Sequence, residues 1–438
     1  AGSIPYLLCG FHFGFSLGAP YAVSLPKAVV AILGSLDTKG AEIDYLRQAV
    51  REQGGEPLVI DTGVLGEPTV AADVTRHEVA AAAGSSIGEL LCQGDKNLAL
   101  LTMARGAGAI LRSLLLGQER GRLGGVLSIG GSRGTALGTR AMQTLPVGVP
   151  KLMVSTMASG LNTFEPYVGT RDVTLMHSVA DVAGINVVTR QIMTNAAAAI
   201  VAMSRVGAPI QRGSGGVFAA SMLGVSTPLV SQIQGLVAAA WHEGELIAYH
   251  AVGTGGRAME ELIEDGVVAG VFDVSPGELA ALVVAGPFSA GPERMRAAGR
   301  RGIPQVIAPG GLDFIIEGQP EGLPARYAGR KTMVHTPDIT LVRTSAGEME
   351  AVARLIAGRL AESRGPAAAI LPLRAFGEFA REGRPLHDPE SDRAFIETFR
   401  TCLPPHVTLV ELDTHLNDPM VGETAVRLMR DMLAGRAA

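Results

Sequence analysis

Three short segments carry the residue types that could hold an anion. In each, an apolar run ends in glycines and a helical pattern follows. The first is Gly34-Ser35-Leu36-Asp37-Thr38-Lys39-Gly40. At a helix start the leading backbone N–H groups have no intrahelical acceptor, so they favour a negative group. Thr38 would add a hydroxyl and Lys39 a positive charge. Asp37 would repel a phosphate unless it held a metal ion or a sugar hydroxyl, which brings Mg2+ in as a companion of the ligand. The plain alternative is an N-cap by Asp37 or Thr38 with a solvated lysine. The second segment is Gly130-Gly131-Ser132-Arg133-Gly134-Thr135. Two glycines let a phosphate approach the backbone, Ser132 and Thr135 can donate, and Arg133 supplies charge; otherwise this is a tight turn needing glycine. The third is Gly253-Thr254-Gly255-Gly256-Arg257, open to the same two readings. None matches the Walker pattern.

Acid–base candidates lie further along. Asp313 follows the run PQVIAPGG, His335 sits in VHTPDIT, and His415 and Asp418 sit in THLNDP. His and Asp at strand ends could share a proton or bind a metal, or simply cap turns. Ser155, Thr156 and Ser159 fall just past another apolar run, but G-x-S-x-G is absent. No HExxH and no Cys/His zinc spacing is present.

These residues need elements to hold them, and the pattern supplies alternating strands and helices. KAVVAIL reads as a strand. AEIDYLRQAVREQG reads as a helix on Ile43, Leu46 and Val50, and EPLVIDTG as a parallel partner strand. Residues 76–117 read as helices broken near Gly84, Gly94 and Gly106, and residues 177–204 as largely helical. Strands are expected at 124–131, 151–156, 216–221, 245–252, 304–308, 338–343, 367–371 and 406–411, and later helices at 344–362, 389–400 and 420–434. The expected fold class is α/β: two Rossmann-like domains, each a mostly parallel sheet flanked by helices. The N-terminal domain spans 27–204, a linker of Arg, Gly, Pro and Ser spans 205–215, and the C-terminal domain spans 216–438. Residues 1–26 read as a leader or extension.

Bulk properties narrow the function. A net charge of −5, with 4% aromatics and no basic stripe, offers nucleic acid no footprint. No uninterrupted apolar run of ~18 residues points to a membrane span. Cys9, Cys92 and Cys402 are scattered, which suits a reducing, cytoplasmic compartment.

Long stretches resemble one family. GSLDTKG, GGVLSIGGSRGT, LPVGVPKLMVSTMASG, HAVGTGGRAMEELIEDG, SAGPERMRAAGRRGIPQVIAPGGLDF and HLNDP resemble the Tm-1-like (UPF0261) family over about 27–434. The resemblance implies two Rossmann-like domains, a homodimer and ATP as ligand, with no settled activity for many members. It also shows departures. Arg133 replaces a glycine of the second loop, Leu161 replaces an acid, Asp95-Lys96-Asn97 replaces an Asp-Arg-Gly step, and Thr336 interrupts an HNP motif. Three functions follow as expectations. One is a nucleotide-binding protein acting on an unknown small molecule. The second is an enzyme on a small carboxylate or acyl substrate using Asp313, His335, His415 and Asp418. The third is a non-catalytic partner-binding protein.

Overall fold

Short Val-, Ile- and Ala-rich runs with no polar face can be satisfied only in sheets covered on both sides. The computed structural model, which describes residues 29–116, 123–160, 164–210 and 214–435, contains two such sheets. The expected leader at 1–26, Leu161 and residues 211–213 of the expected linker lie outside the described residues.

The first half runs β1 (Val29–Gly34), α1 (Leu36–Glu52), β2 (Glu56–Asp61), α2 (Arg76–Ala82), α3 (Ile87–Gln93), α4 (Lys96–Leu116), β3 (Leu123–Gly130), α5 (Ser132–Gln143), β4 (Lys151–Ser155), α6 (Glu165–Val168), β5 (Thr174–His177) and α7 (Val187–Ser204). Its five strands pair in parallel in the order β2-β1-β3-β4-β5. Val30, Ile32 and Val59 face α1 and α7 on one side. Ala31, Leu33 and Ile60 face α2, α4 and α5 on the other.

Two local readings change. β5 ends at His177, where a helix was expected to begin, and α7 starts only at Val187. The four residues of β5, TLMH, are too few to show a period, and only pairing with β4 makes them a strand. Gly106 does not break the 76–117 region, although Gly84 and Gly94 do. It lies inside α4, where a Cβ would stand 1.9 Å from the Val79 carbonyl oxygen. Its role is close packing of α4 on α2. α4 is the one described helix long and apolar enough to cross a membrane. Met103, Ala107 and Leu111 on its inner face belong to the first core.

The second half runs β6 (Val217–Met222), α8 (Thr227–Ala240), β7 (Glu245–His250), α9 (Thr254–Glu264), β8 (Gly270–Asp273), α10 (Gly277–Val283), α11 (Ala297–Arg301), β9 (Gln305–Ile307), β10 (Phe314–Glu317), β11 (Thr332–Thr336), β12 (Ile339–Arg343), α12 (Ala346–Ala361), β13 (Ala367–Pro372), α13 (Pro389–Cys402), β14 (Thr408–Leu412) and α14 (Pro419–Ala434). Six parallel strands order as β14-β13-β9-β8-β6-β7. Between β9 and β13 the chain inserts a three-stranded antiparallel sheet, β10-β12-β11. Its Phe314 and Leu341 pack on Leu223 and Ala251, just past the carboxyl ends of β6 and β7.

Charged side chains join the halves. Arg171 pairs with Glu261 at 2.9 Å and with Asp265, and Arg257 pairs with Glu165 at 2.9 Å. Val147 packs against the second-half core that includes Met259 and Ile263. The loop carrying Val147 is fastened by Lys151, whose buried ammonium reaches Pro146 O at 2.8 Å, Val149 O at 2.7 Å and Asp172 Oδ1 at 2.6 Å. Burial pushes this lysine's pKa down, and Asp172 opposes that.

Candidate functional site

In the first sheet the chain passes from β1 to β2 on one side and onward to β3 on the other. Helices leave in opposite directions there and a crevice opens above the carboxyl ends of the strands. A cavity of about 540 Å³ occupies that crevice. The segments 34–39 and 130–134 both line it, so two expected loops converge on one space. Its other walls are apolar: Val64 and Leu65 after β2, Leu90 and Leu91 of α3, and Leu100 and Met103 of α4.

The α5 end leaves its first amides open. Gly131 is the N-cap and has no side chain to satisfy the first amides. The first helical bond is Thr135 N to Gly131 O at 2.8 Å. That leaves the N–H groups of Ser132, Arg133 and Gly134 without a partner among the described residues. The glycines are telling. Gly130 is needed by the fold, because a Cβ there would stand 2.8 Å from Gly134 Cα. Gly131 and Gly134 are not. Neither has a positive φ, and a Cβ would meet its nearest protein atom at 3.7 Å and 3.4 Å. What their missing side chains leave clear is the cavity. Thr135 corrects the expectation, since it is fully buried and its hydroxyl bonds Ser155 Oγ at 2.6 Å, away from any ligand.

The α1 end is mostly committed to the protein. Asp61 Oδ1 accepts from Leu36 N at 3.0 Å and from Gly63 N at 2.8 Å. Asp37 Oδ2 accepts from Gly66 N at 3.0 Å, and its carboxylate packs on Gly63 and Gly66 while Oδ1 finds no partner. Asp37 therefore fastens the segment after β2. Lys39 donates to the Val182 carbonyl and lies 3.8 Å from Glu42, so it is diverted from the cavity's anion end. Thr38 stays exposed on the wall. Lys96, at the start of α4, lines the cavity and makes no ion pair among the described residues. Arg133 crosses to it, donating to Lys96 O at 2.5 Å. Lys96 and the apolar α3–α4 wall were not singled out from the sequence because they belong to helices apart from both loops, and only the folded sheet brings them over the crevice. Only the departure at Asp95-Lys96-Asn97 drew notice to them.

The second sheet repeats the crevice between β6 and β8, but protein fills it. Gly253 N and Gly256 N donate to Glu278 Oε1 at 2.6 and 3.0 Å. Arg294 Nε donates to Glu278 Oε2 at 2.6 Å. The same guanidinium forks onto Asp273 at 2.5 and 2.7 Å and reaches Glu260 at 3.3 Å. Burial opposes the charge on Arg294, yet Asp273, Glu278 and Glu260 together hold its pKa well above the usual value. Burial raises Glu260, against the pull of Arg294. The segment Gly253-Thr254-Gly255-Gly256 thus meets a protein carboxylate where a ligand phosphate was expected. Gly255 is required by packing, since a Cβ would stand 1.9 Å from His250 O.

The acid–base candidates have separate tasks. Asp313 is fully buried, and neither carboxylate oxygen has a partner. Burial pushes its pKa up to about 7, Arg343 opposes this and Asp392 adds to it. His335 is exposed on β11, edge-on to Phe379 with ring centroids 6.0 Å apart. His415 bridges the backbone of Ala375. Asp418 caps α14, accepting from Met420 N at 3.0 Å, and that bond holds its pKa low. No described contact joins Asp313 or His335 to the other two.

Comparison with known proteins accords with this architecture. The N-terminal domain model of an uncharacterised protein family, UPF0261, matches residues 28–209, and that family's C-terminal domain model matches 216–433. A UPF0261 protein of Clostridium tetani is 38% identical, covering 89% of this chain and 95% of its own length. One of Rhizobium meliloti is 36% identical, covering 92% and 98%. The ToMV resistance protein Tm-1(GCR237) of Solanum lycopersicum is 30% identical, covering 89% of this chain and 54% of that longer protein.

Proposed function

We propose that this chain, which belongs to the UPF0261 family, binds a nucleotide, ATP first among them, in the crevice above β1 and β3. The observation that carries the reading is the pair Gly131 and Gly134. The fold does not need either to be glycine, yet both border three open amides at the start of a twelve-residue helix. Oriented amides and the helix dipole favour a phosphate there. Ser132 adds a hydroxyl, and Lys96 and Arg133 add positive charge. The aliphatic wall of Leu90, Leu91, Leu100 and Met103 then takes the flat face of the base.

Magnesium belongs to this reading as a passenger on the phosphates. The wall's two carboxylates, Asp37 and Asp95, are each engaged by backbone amides: Gly66 N on the first, Asn97 N and Leu98 N on the second. Asp37 Oδ1 is buried against Gly63, so this carboxylate is not presented to a metal ion.

The test is thermal unfolding with ATP, ADP, NAD or buffer, with and without magnesium. A ligand at ~100 times its Kd stabilises the native chain by about 2.7 kcal/mol. Gly131→Leu and Gly134→Leu should fold and lose the ATP shift. If no nucleotide moves the unfolding temperature of the parent chain, the reading falls.

A further inference from the structure

We propose that the crevice of the second domain takes no anionic ligand because Glu278 is its resident ligand, a tethered carboxylate where a bound phosphate would sit. The chain then offers one nucleotide site, although it has two crevices. Each half has a glycine-led helix start beside its crevice, α5 after the inner strand β3 and α9 after the edge strand β7, and the two are resolved differently. At α5 the amides of Ser132, Arg133 and Gly134 face a cavity of about 540 Å³. At α9, Gly253 N and Gly256 N close on Glu278 Oε1, Arg294 holds the other oxygen, and the void left beside them is about 10 Å³.

The glycines separate the two cases. A Cβ at Gly256 would stand 1.9 Å from Glu278 Oε2, so this glycine makes room for a protein carboxylate. Gly131 and Gly134 make room for no protein atom. The inserted sheet seals the arrangement, since Phe314 and Ile316 line the remnant void together with Leu223 and Phe288. Glu278 also differs from its neighbours in what depends on it. Arg294 faces three carboxylates, and without Glu278 it still has Asp273 and Glu260. Removing Glu278 therefore leaves a paired guanidinium and an empty cradle of two amides and one Nε–H, the size of a carboxylate group.

The experiment is thermal unfolding of Glu278→Ala and the parent chain in potassium formate and in potassium chloride at equal ionic strength. The expected result is a lower unfolding temperature for the variant, recovered in large part by formate and not by chloride, with no such selectivity in the parent. Equal formate effects on both chains, or none on the variant, overturn the proposal. Glu278→Gln, which keeps the shape and an acceptor oxygen, should fold without formate selectivity; selectivity there overturns it also. An independent arm is the stoichiometry of ATP on the parent chain. One per chain agrees with the proposal, and two per chain overturns it. This arm rests on the nucleotide reading. If ATP does not bind, that reading fails, and the formate result alone decides the role of Glu278.

Discussion

Replacing Asp313 by Asn should remove a loss of stability that the parent chain suffers as pH rises from about 4 to about 7. The side chain is wholly inside, and both oxygens lack a hydrogen-bond partner. Gly377 lies so close that a Cβ there would stand 2.9 Å from Oδ2. The nearby Arg343 turns its two Nη groups to the backbone oxygens of Asp313 and Asp388 and to the Asp392 carboxylate, and its Nε has no partner. An ionised carboxylate in that place is poorly compensated, so burial lifts its pKa from 3.8 to about 7. The folded chain keeps a proton that the unfolded chain has released across that interval. Stability therefore drains as pH rises from about 4 to about 7, then levels. A shift of about three units corresponds to about 4 kcal/mol in full. Between about pH 5.5 and about pH 8.5 the share still to be lost is about 2 kcal/mol. Urea unfolding of parent and variant at those two values measures it, and the difference between the chains cancels the other titrating groups. The Asp313→Asn variant should gain about 2 kcal/mol on the parent between the two pH values. An offset between the chains that is the same at both would show that Asp313 is solvated or partnered when folded, and the reasoning would fail.

Other outcomes follow from the packing and charge described above. Gly106→Ala drives a methyl into the Val79 carbonyl and should cost about 1–3 kcal/mol in urea unfolding, against the helix propensity gained. Lys96→Ala should weaken ATP binding about tenfold, the ~1.4 kcal/mol of one charge-assisted contact, with a shallower salt dependence in titration calorimetry. An unchanged affinity would remove Lys96 from the site. Arg171→Ala severs the fork onto Glu261 and Asp265 and should raise hydrogen exchange in α9 and around Val147, leaving β1 and β3 unaffected.

Much of the fold was legible in the sequence because fully buried strands leave apolar runs and the turns after them need glycine. The runs VVAILG and AAAILP are such cases. The inserted sheet was only partly legible. β12 shows as LVR after a Thr-Pro-Asp turn, but β10 and β11 are four and five residues long, and β11 is largely exposed, so no period marks them. At the site, local chemistry singled out Gly130 to Gly134, which is contained in five consecutive residues and does line the crevice of the first sheet. It could not say that Thr135 turns inward to Ser155 or that Lys39 is drawn off to Val182, since those partners are 20 and 143 residues away. Nor could it distinguish α5 from α9. Both begin with glycines after a strand, and the difference lies in Glu278 and Arg294, which arrive from other elements.

The separation of the strands along the chain has a consequence for biosynthesis. Every strand of the first sheet, and the helix α7 that completes its cover, precedes residue 205, and no later strand is threaded back into it. The first half can thus close its core while the second is still being translated, and the partners of Arg171, Glu165 and Val147 arrive later with the second half. The second half lacks that economy. β9 sits centrally in its sheet, but its partner β13 comes about sixty residues later, after the inserted sheet. Chaperone dependence in this protein should accordingly attach to the second half, with the crevice above β1 and β3 already formed when it begins to fold.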